Sequence, residues 1–217
     1  MTGTVAEYDV DAERWRSISA HVRPEFLPFS KTVYLSNRDM LVIGGLNQEI
    51  PQKPQFSSQC MLLKEVELND FERVYVPEQL CSMHTKRGCF STVSLNGFVY
   101  VFGGINYSDR IMSKCERYNL AENVWSPLTC LVEPRKNSSA CVLNGESIYV
   151  FGGNSSYKTL DTIERYSVNA NTWTLLKIRL PNPLAFSIAF KVSATHILLL
   201  GTMSILSLFV ALYRWLH

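Results

Sequence analysis

Histidine, cysteine and acidic side chains could bind a metal or carry out acid–base and nucleophilic chemistry, but their spacing in this chain assembles no such site. The four histidines, His21, His84, His196 and His217, occupy unrelated positions, so they build no ligand set for a metal. Paired carboxylates, a Ser/His/Asp order and an activated cysteine are also not evident. The sequence therefore predicts a protein that is not an enzyme and has no cofactor and no metal site.

The composition predicts a folded chain with a reduced, buried set of thiols. The 217 residues are 47% hydrophobic and 18% charged, which is enough apolar surface for a core. The net charge of +2 is spread along the chain, which argues against nucleic-acid binding. The cysteines form no CxxC pair and lie mostly in apolar runs; they are Cys60, Cys81, Cys89, Cys115, Cys130 and Cys141.

The N-terminus indicates a cytoplasmic location. The stretch MTGTVAEYDVDAERW has neither a basic start nor an apolar core, so it does not resemble a secretory signal. Glycosylation sequons begin at Asn106, Asn137 and Asn154. Without an export signal, we interpret them as chance matches in turns rich in Ser and Asn.

Two stretches of the chain are nearly identical, which indicates a repeat. LNGFVYVFGG ends at Gly104 and LNGESIYVFGG ends at Gly153, and the paired glycines Gly103 and Gly152 are 49 residues apart. A period of roughly 20–50 residues is typical of repeat architectures. A further glycine pair stands at Gly44 and Gly45, and Gly201 is a single glycine in a similar apolar run.

A tyrosine and a tryptophan seven residues apart follow the glycine pairs. The pairs are Tyr118 with Trp125, Tyr166 with Trp173 and, at the start of the chain, Tyr8 with Trp15. A degenerate copy lies between Gly45 and Gly103, where we place Lys64 in the tyrosine position and Phe71 in the tryptophan position.

Each repeat is predicted to form four short antiparallel strands. FVYVF and SIYVF are apolar runs rich in aromatic and β-branched residues, as buried strands are. The pairs Asn96-Gly97 and Asn144-Gly145 precede them and predict two-residue hairpin turns. Four strands repeated about every 48 residues describe a propeller blade.

The glycine pair after an apolar strand, followed by Tyr and Trp seven apart, resembles the kelch repeat. The resemblance extends over about residues 3–201 and implies an all-β, kelch-type β-propeller in which each repeat is one blade. It also implies structural roles for the repeated residues: the glycines let the second strand leave the hub, and the aromatic residues pack between blades. These residues are Gly44, Gly45, Gly103, Gly104, Gly152, Gly153, Tyr8, Trp15, Tyr118, Trp125, Tyr166 and Trp173.

The predicted domain is a kelch-repeat propeller at 3–201 with about four blades. It comprises a half repeat at 3–20, repeats at about 31–76, 87–129 and 135–178, and a half repeat at 184–201. A closed ring usually needs about four to eight blades. The two half repeats supply a fourth blade if they pair; otherwise the ring is incomplete or open.

Residues 202–217 form a hydrophobic C-terminal tail that departs from the repeat. The 17 residues from Ile197 to Tyr213 carry no charge, which is at the short limit for a membrane-spanning helix. Because the last blade needs Ile197–Leu200 as a strand, we expect the tail to form an additional strand or helix against that blade. A membrane anchor is the alternative.

The parity of a four-strand meander places the long loops on one face. Loops joining the second strand to the third, and the fourth to the next blade, share that face, and long loops on a rigid scaffold are common binding sites. The candidate partner-binding residues there are Lys86, Arg87, Asn106, Tyr107, Arg135, Lys136, Asn154, Tyr157 and Lys158.

Arg87 and Arg135 stand 16 and 17 residues before Gly103 and Gly152, so they occupy near-equivalent places. In kelch proteins, basic residues at this place often contact acidic peptides, and a guanidinium can hold a carboxylate with two hydrogen bonds. The alternative is a solvated arginine that holds a neighbouring loop.

These observations favour a non-enzymatic scaffold or adaptor that binds another protein, for example an acidic peptide segment, through the loop face. The alternative is a structural propeller fragment that forms a homo-oligomer by pairing its edge strands. A kelch-like enzyme and a tail-anchored membrane protein are less favoured. A ubiquitin-ligase or actin-binding context rests on analogy with the family alone.

Overall fold

The chain is built from short antiparallel β-strands. The computed structural model describes residues 5–10, 13–18, 27–35, 38–47, 55–69, 72–193, 196–204 and 207–214. The strands in these ranges are β1 Val5–Asp9, β2 Arg14–Ile18, β3 Lys31–Tyr34, β4 Met40–Ile43, β5 Leu46–Asn47, β6 Gln55–Phe56, β7 Cys60–Asn69, β8 Glu72–Leu80, β9 Ser91–Leu95, β10 Phe98–Phe102, β11 Cys115–Asn119, β12 Val124–Leu128, β13 Ser139–Leu143, β14 Ser147–Phe151, β15 Thr162–Ser167, β16 Thr172–Arg179, β17 Ala185–Lys191, β18 His196–Ser204 and β19 Ser207–Arg214.

Three four-stranded sheets form the complete blades of an open propeller. The first blade is β3-β4-β7-β8, the second is β9 to β12 and the third is β13 to β16. A two-stranded N-terminal hairpin, β1-β2, and a three-stranded C-terminal sheet, β17-β18-β19, are separate sheets. The all-β propeller predicted from the sequence is therefore confirmed, and its ring is incomplete.

The blades pack face to face through their inner strands. Contacts run from β3 to β9, from β9 to β13 and from β13 to β17. At the first of these junctions, Val99 and Val101 of the second blade are fully buried against Leu41 and Ile43 of the first. Burial of aliphatic side chains between neighbouring sheets is the main contribution to the stability of such an array.

The two half repeats do not pair with each other. Strand β1 pairs with β2, and β18 pairs with β17 on one side and β19 on the other. Of the two alternatives, a shared fourth blade is not formed among the described residues, and the open ring is the one that the structure has. The edge of β18 that an N-terminal strand would use is taken by β19, which confirms that the tail adds a strand.

The tight turns differ by one residue between the second and third blades. Asn96 and Gly97 both have positive φ, +50° and +77°, and form the predicted two-residue turn between β9 and β10. In the third blade Leu143 pairs with Ser147, so that turn has three residues and includes Glu146. The prediction of a two-residue turn there is wrong because the sequence has one residue more.

The glycine pairs lie where the backbone of the next blade comes close. Gly103 has a φ of +62°, and a β-carbon at this position would lie 2.3 Å from the carbonyl oxygen of Arg135. The amide of Gly104 donates to that same carbonyl at 2.9 Å. A side chain at Gly103 would therefore strain the backbone and push the blades apart.

The repeated tyrosine and tryptophan stand directly opposite each other on the third and fourth strands of a blade. Tyr118 and Trp125 pair across β11 and β12 with ring centroids 5.1 Å apart. The indole of Trp125 donates to the carbonyl of Cys81, in the loop from the preceding blade, at 2.8 Å. The Asn123 side chain accepts from both the Tyr118 hydroxyl and the Cys81 amide.

The third blade repeats this arrangement, and the N-terminal hairpin repeats only part of it. Tyr166 and Trp173 are 5.0 Å apart, and the Trp173 indole donates to the carbonyl of Thr129 at 3.0 Å. Tyr8 and Trp15 are 5.2 Å apart but 45% and 71% exposed.

The degenerate first blade uses other residues at these two positions. Ile43 pairs with Cys60 in the first blade, and Phe102 pairs with Cys115 at the same place in the second. Tyr118 follows Cys115 as Leu63 follows Cys60, so Leu63, rather than Lys64, corresponds to the tyrosine. Leu63 is fully buried and lies opposite Pro77. The predicted register is wrong because β7 and β8 are longer than their counterparts, and Phe71 lies outside the described residues.

Candidate partner-binding face

Arg87 is inside the protein and binds groups of its own blade. Its side chain is completely buried and donates to the carbonyls of Gly103 at 2.7 Å and Lys114 at 2.8 Å. The same guanidinium forms an ion pair with Glu116 at 2.6 Å. Arg135 repeats these contacts in the third blade.

The glutamates fasten the loop that arrives from the preceding blade. The carboxylate of Glu116 accepts hydrogen bonds from the amides of His84 and Thr85, at 2.8 and 3.1 Å. Glu164, fully buried, accepts from the amides of Val132 and Glu133 at 2.7 and 3.0 Å. Each buried charge is therefore both paired and hydrogen-bonded, as a low-dielectric interior requires.

The arginine and the glutamate are present together in the second and third blades and absent together in the first blade and the C-terminal sheet, where Met61 and Ala211 take the register of the glutamate. The arginine position is identified by backbone hydrogen bonds. The amides of Gly45 and Gly104 donate to the carbonyls of Arg87 and Arg135, whereas the amide of Gly153 donates to that of Leu184. Leu184 therefore takes the arginine position in the C-terminal sheet. In the first blade, the carbonyl of Pro28 accepts a hydrogen bond from the amide of Leu46. In the later blades, the carbonyl of the residue after each arginine accepts the equivalent hydrogen bond. Leu27, which precedes Pro28, therefore holds the arginine position.

The structure corrects the expectation that Arg87 and Arg135 are surface contacts. Both guanidinium groups are completely buried and paired with a glutamate of their own chain, so neither reaches a partner's carboxylate. The alternative of a solvated arginine that holds a neighbouring loop is wrong about solvation, but it is right that each arginine donates to loop carbonyls. The sequence contains a signal that sequence analysis missed: Arg-to-Glu spacing is 29 residues in both repeats.

Backbone bridges place the long loops side by side on one face. Gly88 pairs with Ile105 and Lys136 pairs with Asn154, which joins each loop between blades to the loop between the second and third strands of the next blade. The loops involved are 81–90, 103–114, 129–138 and 152–161. We call this surface the loop face.

Two tight turns on the loop face are held by their own side chains. The side chain of Asn106 accepts from the amides of Ser108 and Arg110, at 3.1 and 3.0 Å. In the next blade, the Ser155 hydroxyl accepts from the amide of Lys158 at 3.2 Å. Such turns fix the backbone without secondary structure, so the residues at their tips have defined positions.

These turns carry exposed aromatic rings. Tyr107 is 72% exposed and Tyr157 is 97% exposed. A tyrosine supplies a large apolar ring and a hydroxyl at a low cost in conformational entropy, which suits protein interfaces. Two of them on neighbouring rigid turns form the most prominent feature of the loop face.

Polar and basic side chains share the loops that carry the two tyrosines. Asn106, Lys136 and Asn154 are half-buried. Asn154 donates to the Thr159 hydroxyl at 3.0 Å, so its amide serves the loop. The exposed cations of the four loops are Lys86, Arg110, Lys114 and Lys158.

The acidic side chains of these loops are mostly engaged within the protein. Glu133 accepts from Arg135 at 3.3 Å, and Asp161 lies 3.7 Å from Arg179. Asp109 is exposed. The loop face therefore presents more free positive than negative charge, which favours an acidic partner.

An open cavity of about 430 Å³ lies on the loop face of the second blade, beside the loop that arrives from the first. Pro127 and Leu128 form its apolar part, and Lys114 stands among its lining residues. This volume is within the range of small-ligand pockets and can accept a side chain of a partner. Its lining residues are His84, Thr85, Lys114, Cys115, Glu116, Pro127, Leu128 and Cys130.

The buried cysteines have little nucleophilic character. Burial raises the pKa of Cys60 to about 12 and that of Cys115 to about 12, so both thiols stay protonated at neutral pH. Cys81 and Cys130 are exposed, which corrects the expectation of a uniformly buried set. The described thiols form no disulfide.

Within the described ranges, no three His, Cys, Asp or Glu side chains are close enough to hold a metal ion. His84 contacts the carbonyl of Trp125 at 3.0 Å and His196 contacts Ser193 at 3.0 Å. His21 and His217 lie outside the described residues. A search of the same residues finds no helix with the length and apolar character needed to cross a membrane.

Comparison with known proteins matches most of the chain to one family. The model of the KLHDC2/KLHL20/DRC7 Kelch-repeats domain matches residues 1–201. Kelch-like protein 7 of Rattus norvegicus is 36% identical over 73 residues, which is 34% of this chain and 12% of that protein. Kelch-like protein 23 of Mus musculus is 33% identical over 87 residues, or 39% of this chain and 15% of that protein.

A plant protein is similar to this chain at lower identity over a longer segment. An F-box/kelch-repeat protein of Arabidopsis thaliana is 30% identical over 100 residues, 44% of this chain and 26% of that protein. In all three alignments, the segment matched is a small part of the relative's length.

Proposed function

The chain belongs to the kelch-repeat family, and we propose that it is a non-enzymatic module that binds another protein through its loop face. Kelch domains of Kelch-like proteins generally mediate protein–protein interaction. The observation that carries the proposal is the pair of hydrogen-bonded turns that hold Tyr107 and Tyr157 exposed on a face whose loops also carry exposed cations.

The chemistry of the face favours an acidic, partly apolar peptide segment. The two tyrosines supply apolar contact area, and the exposed cations of the same loop face, Lys86, Arg110 and Lys158, attract carboxylates. The neighbouring cavity, lined in part by Pro127, accepts one apolar side chain of such a segment. The buried arginines support this surface from below, because they hold the loops in place.

A peptide array tests the proposal. Peptides that combine Asp or Glu with one aromatic or aliphatic residue are compared with amide-substituted peptides of the same length. We expect the acidic peptides to bind more strongly and their binding to weaken as salt rises. The double variant Tyr107→Ser/Tyr157→Ser should lose at least tenfold in affinity.

The control variant is Tyr34→Ser, which removes a tyrosine that is 61% exposed on β3, away from the loops. Its affinity should match that of the wild type. Equal binding by all three proteins would contradict the proposal, as would equal binding of acidic and amide-substituted peptides. Unfolding midpoints of the variants exclude misfolding as the cause of a loss.

A further inference from the structure

The third blade holds a carboxylate of its own beneath the loop face. The side chain of Glu133 accepts a hydrogen bond from Arg135, at 3.3 Å, and another from the Thr162 hydroxyl. Arg135 also donates to that hydroxyl, at 3.1 Å. A carboxylate therefore lies between the loop that arrives from the second blade and the start of the third strand of this blade.

Backbone hydrogen bonds identify the equivalent residues in the second blade. The amides of Thr85 and Glu133 each donate to the buried glutamate of the blade that follows them. Thr85 is therefore equivalent to Glu133. The carbonyls of Lys114 and Thr162 each accept from the buried arginine of their own blade. By the same reasoning, Lys114 is equivalent to Thr162.

In the second blade, the cavity lies where the third blade has the carboxylate. Thr85 and Lys114 both line the cavity of about 430 Å³. The Thr85 side chain is shorter than that of a glutamate and carries no charge. Within the described part of the chain, the Thr85 hydroxyl and the Lys114 ammonium have no hydrogen-bond or ion-pair partner. We call this part of the cavity its polar end.

The balance of charge at this place is reversed between the two blades. In the third blade, one arginine meets two carboxylates, those of Glu133 and Glu164. In the second blade, Arg87 is paired with Glu116, and Lys114 adds a further positive charge. The third-blade group is therefore net negative and the second-blade group net positive, so the second-blade group attracts an added carboxylate.

We propose that the polar end of the cavity is a subsite for one aspartate or glutamate side chain of the partner. Its carboxylate pairs with the Lys114 ammonium and accepts from the Thr85 hydroxyl, as the Glu133 carboxylate accepts from the Thr162 hydroxyl. Arg87 stays buried beneath the subsite and does not touch the partner. The inference rests on the proposed function, because it assigns one acidic residue of the bound segment to a defined place.

The other end of the cavity is apolar and remains open to a neighbouring side chain of the same segment. Pro127 and Leu128 line it. The volume is within the range of pockets that hold drug-sized ligands, so a carboxylate and an adjacent apolar side chain fit together. The cavity therefore selects an acidic residue next to an apolar one.

Two dipeptide amides test the proposal, N-acetyl-leucyl-glutamate amide and N-acetyl-leucyl-glutamine amide. Neither has a free terminal carboxylate, so the glutamate side chain is the one acidic group in the pair. Amide NMR spectra of the full chain are recorded as each dipeptide is added. We expect the glutamate dipeptide to shift the amide signals of Thr85 and Lys114, to bind at least fivefold more tightly than the glutamine dipeptide, and to weaken as salt rises.

Variants of the polar end locate the binding. Lys114→Gln should weaken binding of the glutamate dipeptide at least fivefold and leave that of the glutamine dipeptide unchanged. Thr85→Glu supplies a carboxylate of this chain to the subsite and should weaken binding of the glutamate dipeptide at least tenfold. The control Lys177→Gln removes an exposed lysine of β16 and should bind both dipeptides like the wild type.

A stability measurement tests the subsite without any peptide. Thr85→Glu rebuilds the third-blade arrangement, so it should unfold at a higher urea concentration than Thr85→Gln, which has the same size but no charge. The difference should disappear in a Lys114→Gln background. A Thr85→Glu variant that unfolds at the same or a lower urea concentration than Thr85→Gln would show that this place does not hold a carboxylate.

Failure of the subsite and failure of the proposed function give different results. Equal binding of the two dipeptides, or wild-type binding by Lys114→Gln, would overturn the subsite even when acidic peptides bind the loop face in the array. Wild-type peptide binding by Tyr107→Ser/Tyr157→Ser would contradict the proposed function and leave the dipeptide result unchanged.

Discussion

Replacing Glu116 with glutamine should destabilise the protein strongly because Arg87 would lose the carboxylate with which it forms its buried ion pair. The guanidinium is completely buried, and Glu116 also accepts two amide hydrogen bonds from the loop that precedes Arg87. Removing one partner of a buried ion pair typically costs about 3–5 kcal/mol, because the remaining charge is left uncompensated. We expect a loss of this size for Glu116→Gln and for Arg87→Leu.

The double variant Arg87→Leu/Glu116→Met should be less damaging than the sum of the two single changes. The first blade supports this choice because Leu27 and Met61 occupy the equivalent positions there. With both charges gone, the remaining cost is the loss of hydrogen bonds to backbone groups. We therefore expect the two changes to couple by about 2–3 kcal/mol.

These differences in the free energy of unfolding are measured by urea denaturation monitored by tryptophan fluorescence. At a constant slope of free energy against urea concentration, the shift of the unfolding midpoint gives each difference. Glu78→Gln is the matched control. Glu78 lies 2.5 Å from Lys64, but about half of each side chain is exposed, so its midpoint should not shift measurably. Single-variant losses that add to within about 0.5 kcal/mol would refute the coupling of Arg87 with Glu116.

Three further predictions concern the aromatic pairs, the thiols and the glycine pairs. Trp125→Ala should lower the free energy of unfolding in urea by about 3–5 kcal/mol, because Trp125 is 4% exposed. Trp173→Ala should lower it less, because Trp173 is only half-buried. Equal losses would contradict this ranking. At pH 8, iodoacetamide should label the exposed Cys130 in the native protein, as mapped by mass spectrometry. Cys115 should be labelled only after unfolding, because burial raises the pKa of its thiol to about 12. Rapid labelling of Cys115 in the native protein would show that it is accessible. Gly103→Ala should lower the free energy of unfolding by about 2–4 kcal/mol, because its β-carbon meets a backbone oxygen at positive φ; a neutral effect would mean that the blades separate easily here.

The elements that repeat most clearly could be predicted from the sequence because local chemistry determines them. Asn96-Gly97 specifies a turn whatever surrounds it, and the apolar runs before Gly103 and Gly152 specify buried strands. The Tyr118–Trp125 spacing of seven fits two antiparallel strands joined by a short turn, which places the two rings opposite each other.

The interior role of the arginines was harder to predict because it depends on contacts between distant parts of the chain. A basic residue before a strand is typical of a solvated surface, and only its partner shows otherwise. Glu116 lies 29 residues after Arg87, in the segment CERY, and Glu164 repeats that spacing in IERY. The register of the first blade was missed for a related reason: Leu63 and Pro77 fill the aromatic positions without resembling them.

The distribution of the buried ion pairs follows from the position of each blade in the array. In the second and third blades, the glutamate holds the loop that arrives from the blade before, and the arginine lies under the glycine pair. The sheet at the C-terminal end has leucine at the arginine position, and at its third strand Ala211 takes the register of the glutamate. A charge at either position alone would be buried without a partner, so the two positions change together. Among the described residues, these ion pairs therefore occur in the second and third blades, where they fix the loops that hold the turns of the loop face.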